Sequence, residues 1–210
     1  MNERELPILA EGTICTEMKG IKEWRANNAD NVLERAKQKL REAKRPVEQL
    51  DRTNPRLLYI ILDHSSWHDA DEMQEMWAGL LVSSSMGSLY DESNLIFVGL
   101  LSQMTVNEVL ILNHACSSAT KVVSEEGIIV AEQLEYTVRD LMNIVREQEM
   151  FRLDFQMDHM RALGLLPFGI NLRDPEKQLV ADITPSSLAL YMYVRCRGFA
   201  GPPSDYFAGF

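Results

Sequence analysis

His64 and His68 stand four residues apart, with Asp63, Asp69 and Asp71 beside them. On one continuous helix that spacing places two imidazoles on one face near carboxylates, the raw material of a hydrolytic metal site. Two features oppose that chemistry. Ser65-Ser66-Trp67 falls where one helix should end and an Asp69 cap should begin the next, so the pair is expected to straddle a turn. A third ligand at a definable spacing is missing, and no metal or cofactor is expected. His159 beside Asp158 reads as a helix-surface pair rather than a dyad. Cys15, Cys116 and Cys196 are odd in number and lack any CxxC, so they are expected as reduced, mostly buried thiols. The chain contains no GxSxG, GxxxxGK[ST] or GxGxxG. The expectation is a protein that is not an enzyme.

Without a catalytic motif, charge is the next signal. The 210 residues carry 21 Lys+Arg against 31 Asp+Glu, a net charge of −10, with an ordinary 46% of apolar residues. That field opposes docking on nucleic acid or an acidic membrane. The charge is segregated: residues 17–56 hold eleven basic and seven acidic side chains, whereas 57–120 hold eight acids and no Lys or Arg. A basic arm followed by an acidic block marks surfaces that attract each other, within one molecule or between copies. The candidate interaction surface comprises Arg35, Lys39 and Arg45 from the arm with Asp63, Trp67, Asp69, Asp71 and Glu75 from the block. A protein partner of unspecified identity, or a second copy, is the expected class; DNA binding through the basic helix 35–45 is the alternative. The start, Met1-Asn2-Glu3-Arg4-Glu5, carries acid where a secretion leader needs base, and the longest apolar runs, 57–62 and 95–101, are too short to span a bilayer. A cytoplasmic location without membrane contact is expected.

The elements that must position these residues are mostly helical. Val32, Ala36, Leu40 and Ala43 recur at helical spacing, and Pro46 ends that helix. Asn54-Pro55 reads as an N-cap and first helical residue, Asp69 with Glu72 as a capping box, and Thr105 with Glu108 as another. Met73, Met76, Trp77, Leu80 and Leu81 form the clearest amphipathic stripe, assigned to core rather than to binding, and 83–85 with Gly87 fray that helix. A short apolar helix is expected over 94–101. The stretch 117–130 reads as a polar connection with one brief strand at 127–130. Leu134, Val138, Leu141 and Val145 predict a helix, and another over 150–163 stops at Gly164. A β-hairpin follows, 165–172 and 178–183 around a turn over 173–177, and Thr184-Pro185 caps a last helix to about 197.

The fold class is therefore mainly α: a helical bundle with a C-terminal winged-helix-like module containing one β-hairpin. Residues 1–103 form the N-terminal helical region, and 104–197 a winged-helix-like region packed on it as one unit. Residues 198–210 form a flexible aromatic tail, extended unless its rings dock. The helix at the recognition position, with two Arg against two Asp over 151–161, is poorly charged for DNA.

The residues also carry a family likeness. Asp71-Glu72-Met73 with Trp77-Ala78-Gly79-Leu80-Leu81, following the apolar helix from Pro55, resembles the Abi-alpha family, a bacterial domain associated with abortive infection. Trp24-Arg25-Ala26-Asn27-Asn28 resembles its entry to a basic helix, and 97–105 its helix-turn-helix junction. Leu163-Gly164-Leu165-Leu166 and Ile183-Thr184-Pro185 resemble the segments around its wing, with Ser187 where a Gly is common. The likeness covers most of 15–197 and carries no catalytic motif. It implies a role in phage defence, in which an infected cell halts before phage mature.

Overall fold

A computed structural model describes residues 14–173 and 178–208. Most of the wing turn, the first five residues and the side chain of Cys15, all read above, lie outside the described residues. The long α1 (Ile14–Glu42) leads through a 3-10 turn over Val47–Arg52 to α2 (Pro55–Ser65), α3 (Asp71–Ser85), α4 (Leu95–Leu101) and α5 (Val106–Ser118). Then come β1 (Lys121–Val123), β2 (Ile129–Ala131), β3 (Glu135–Thr137), α6 (Val138–Val145) and α7 (Met150–Ala162). The chain closes with β4 (Ile170–Arg173), β5 (Gln178–Asp182), α8 (Ser187–Cys196) and α9 (Pro203–Ala208). The fold is mainly α.

Local signals account for several boundaries. The Asn54 side chain accepts from the Arg56 and Leu57 amides, and the Thr105–Glu108 capping box is complete in both directions. Helix α1 ends in a Schellman turn: the Arg45 amide donates to the Leu40 carbonyl at 2.8 Å across Lys44, whose φ is +53°. Gly164 and Gly198, both at positive φ, end α7 and α8 in the same way.

Helix α3 is the centre of the molecule and packs on α1, α2, α5 and α8. The stripe Met73, Met76, Trp77, Leu80 and Leu81 is buried, as are most of the other residues of the helix. One core cluster runs from Val32 through Trp77 to Cys196. At Gly79 the backbones of α3 and α8 come so close that an added Cβ would overlap the Cys196 carbonyl.

Over α5–β3–α6–α7–β4–β5 the order is that of a winged helix. The sheet runs β3-β5-β4, all antiparallel, with Tyr136 opposite Ala181 and Asn171 opposite Val180.

Several boundaries differ from expectation. Leu134 precedes α6; the three residues after it are β3, and Thr137 caps the helix by accepting from the Asp140 amide. A helical spacing and a strand leading into a helix share their apolar positions here, and pairing with β5 decides for the strand. Residues 117–130 hold a second hairpin, β1 against β2, rather than one strand. Helix α3 starts after Ala70 without a side-chain cap, so Asp69 and Glu72 form no box; Asp71 and Glu72 instead bring negative charge to its first turn. Residues 83–85 do not fray it: their buried hydroxyls donate to the carbonyls of Leu80 and Val82, and Asn94 Nδ2 donates to Ser83 and Ser84. Ala43 is exposed beyond the end of α1. Ser186, not Thr184, caps α8. Residues 165–169 precede the first strand of the wing hairpin rather than belonging to it. Over 203–208 the tail is not extended: α9 places Tyr206 and Phe207 against Tyr193, with centroids 6.3 and 6.2 Å away, and burial of those rings supplies the order.

Candidate functional site

Four of the eight surface residues read from the sequence meet along the α1–α3 seam. The Arg35 guanidinium donates to the Asp71 carboxylate and, at 2.7 Å, to Glu75 Oε1; the Lys39 ammonium lies 2.6 Å from Glu75 Oε2. Positions 35 and 39 lie one turn apart on α1, as 71 and 75 do on α3, and the two pairs are brought side by side. Burial alone would raise the Glu75 carboxyl; its hydrogen bonds to Lys39 and Arg35 outweigh this and hold it below its ordinary value. The hydrogen bond to Glu75 in turn raises Arg35.

Asp63 and Trp67 gather around a residue absent from that set. Arg25 donates at 2.7 Å to Asp63 Oδ1 and at 2.8 Å to Ser66 Oγ, and its guanidinium lies 4.1 Å over the Trp67 ring. Buried Asn28 donates to the Ser66 carbonyl at 3.0 Å. The signal for Arg25 and Asn28 was the Trp24–Asn28 stretch of the family likeness; periodicity alone does not single them out. Asp69 is exposed near His68, and Arg45 lies beyond the end of α1, on a cleft that Lys39 also lines.

The two histidines sit on either side of a helix end, and both stack on Trp77, with centroids 6.2 Å away for His64 and 6.3 Å for His68. Burial lowers His68, and the neighbouring His64 adds to this. Trp77 is fully buried, and its Nε1 has no hydrogen-bond partner among the described residues. Among the described residues no group of three His, Cys, Asp or Glu is placed to hold a metal ion. His159 is not a surface pair with Asp158: its Nδ1 lies 2.6 Å from Oε1 of buried Glu108, while Asp158 pairs with Arg161. Cys116 and Cys196 are buried free thiols, and burial pushes Cys196 up to about 12.

Helix α7, at the recognition position of the winged helix, buries Leu153, Gln156, Met157 and Met160. Its outer face carries Phe151, Asp154, Phe155 and Asp158 in register, with the two rings 64% and 55% exposed. The residue types were legible, but not which of them faced outward.

The family described as abortive infection alpha matches residues 27–187, most of the chain. The chain belongs to that family. The match spans the α1–α3 seam, the buried α3 and the winged-helix order through the first residue of α8, and it associates the chain with abortive infection. No curated protein and no solved structure matches it. Among the described residues no helix is long and apolar enough to cross a membrane.

Proposed function

We propose that this protein is a cytoplasmic, non-enzymatic component of phage defence that acts by docking a protein partner on the exposed face of α7. Family membership supports the defence role. The observation that carries the contact mode is the character of α7: two exposed phenylalanines separated by Asp154, with its exposed Arg152 and Arg161 paired to Glu149 and Asp158, where a DNA reader presents uncommitted cations and amides. The complementary partner surface is an apolar pocket edged by basic side chains. The segregated charge supports the same reading, because Arg35, Lys39, Asp71 and Glu75 neutralise one another within a single chain. DNA binding through 35–45 gains less support, since three of that segment's cations, Arg35, Lys37 and Lys39, are committed to carboxylates. A non-enzymatic role is supported by the hydroxyls of 83–85, each bonded to a carbonyl of its own helix, and by the depth of both described thiols. The two regions, 1–103 and 104–197, are read as one unit on the strength of the contact between α3 and α8.

Plaque assays on cells with and without the gene test the role. Protection by the wild type, lost in Phe151→Asp/Phe155→Asp at unchanged thermal stability, is the expected outcome. Unchanged plating across a broad phage panel defeats the defence reading; full protection by the double variant defeats the α7 reading. A low-salt gel-shift complex abolished by Arg41→Gln/Arg45→Gln would establish the DNA alternative in its place.

A further inference from the structure

A cleft of about 700 Å³ lies between the end of α1, the end of α3 and the loop that joins α8 to α9. Its volume is that of an ordinary small-molecule site. Val82, Met86, Phe199 and Tyr206 supply apolar and aromatic surface, and Lys39, Arg45 and Arg197 supply positive charge. None of the described residues that line it is acidic, in a chain whose net charge is −10. Lys39 is held by Glu75. Arg45 and Arg197 pair with no carboxylate among the described residues; Arg197 donates instead to Asn113 and lies 4.7 Å over the Tyr193 ring.

The walls are fixed rather than improvised. Two Schellman turns face each other across the cleft, one setting Arg45 after α1 and one setting Phe199 after α8. Gly198, at φ +90°, lies so near Val82 that a Cβ there would sit 3.1 Å from its Cγ1, which closes the floor. The half-buried Arg195 donates to the Ala200 carbonyl and holds the loop against α8. Ala200 and Gly201 line the cleft, and their amides have no acceptor among the described residues, which leaves them free to donate to an anion.

The geometry points to a binding site for a small organic phosphate that carries a planar ring, a nucleotide-like ligand. Its phosphate sits between Arg45, Arg197 and the loop amides, and its ring lies against Phe199 or Tyr206. Arginines match phosphate geometry, and an aromatic wall selects a flat partner over a bare ion. The site is distinct from the α7 face and stands without the proposal made for it.

Calorimetric titration of the full chain with adenosine 5′-monophosphate, adenosine and inorganic phosphate tests it. The monophosphate is expected to bind at least about tenfold more tightly than either fragment and to weaken as salt rises. Arg45→Gln changes an exposed side chain outside the core and should cost about tenfold in affinity, as should Arg197→Gln. Arg41→Gln, outside the cleft, should leave affinity unchanged. No heat at about 1 mM monophosphate, equal affinity for inorganic phosphate, or wild-type affinity in Arg45→Gln would each overturn the proposal.

Discussion

Helix α3 is gripped on two sides in opposite ways. Toward α1 the contact is an apolar stripe, Val32, Ala36 and Leu40, edged by the Arg35 and Lys39 pairs with Asp71 and Glu75. Toward α8 it is close backbone approach, with Gly79 against the Cys196 carbonyl and Val82 against Gly198. The first seam is partly wet: the side chains of Lys39 and Glu75 retain 23% and 41% of their accessible surface. Water and counter-ions replace such pairs at small cost, so that seam chooses which faces meet more than it holds them together. The second seam has no slack, because helix backbones in contact leave no room for a methyl group.

The largest test of that contrast is Gly79→Ala. The added carbon must drive α3 and α8 apart, and a loss of about 3 kcal/mol or more is expected in chemical denaturation. Gly99→Ala, on an exposed helical position with nothing within 4 Å of the new atom, should by contrast be neutral or stabilising by up to about 1 kcal/mol. Equal small effects at both positions would show that the α8 seam yields.

A smaller effect is expected at the charged seam. Glu75→Gln should cost about 1 kcal/mol or less at low salt, with the difference from wild type shrinking in 1 M salt. A loss as large as that of Gly79→Ala would show that the ion pairs, and not the stripe, hold α1.

The finest distinction lies in the pH dependence of each seam. The folded Glu75 carboxyl lies below its ordinary 4.5, so the unfolded chain takes up a proton first and stability from this group is lost as pH falls below that value. Cys196 behaves in the opposite sense: folded near 12 against 9.0 when exposed, it costs stability as pH rises above 9.0, where only the unfolded chain ionises. Melting curves should therefore show Glu75→Gln flattening the acid limb and Cys196→Ala flattening the alkaline limb. Neither change should alter the other limb, and crossed effects would mean that the seams are coupled.

Features set by neighbours in the chain were legible before the fold. Asn54-Pro55, the Thr105–Glu108 box and the Gly164 stop act through hydrogen bonds or backbone angles spanning a few residues, and each stands where expected. Leu134 misled because its spacing from Val138 fits a helix, while the choice between helix and strand rests on β5, some forty-five residues further on. The hydroxyls of 83–85 looked like a frayed end because their type is polar; they are buried because α3 is surrounded. The surface residues were recognisable as types and as opposed charges, but Arg25, their partner at Asp63, had no local mark beyond the family likeness.

By itself the sequence determined the helical character, most helix ends, the buried stripes of α1 and α3 and the family likeness, because these depend on side-chain type and on spacing within a turn or two. Only the tertiary structure decided that Arg35 meets Asp71 and Glu75, that α3 and α8 touch backbone to backbone, that the tail's rings dock, and that Arg45 and Arg197 share a cleft. The physical reason is one of range. Hydrogen bonds and periodicity act on near neighbours, whereas ion pairs, close approaches and clefts join residues tens to more than a hundred and fifty positions apart, and packing alone brings them together.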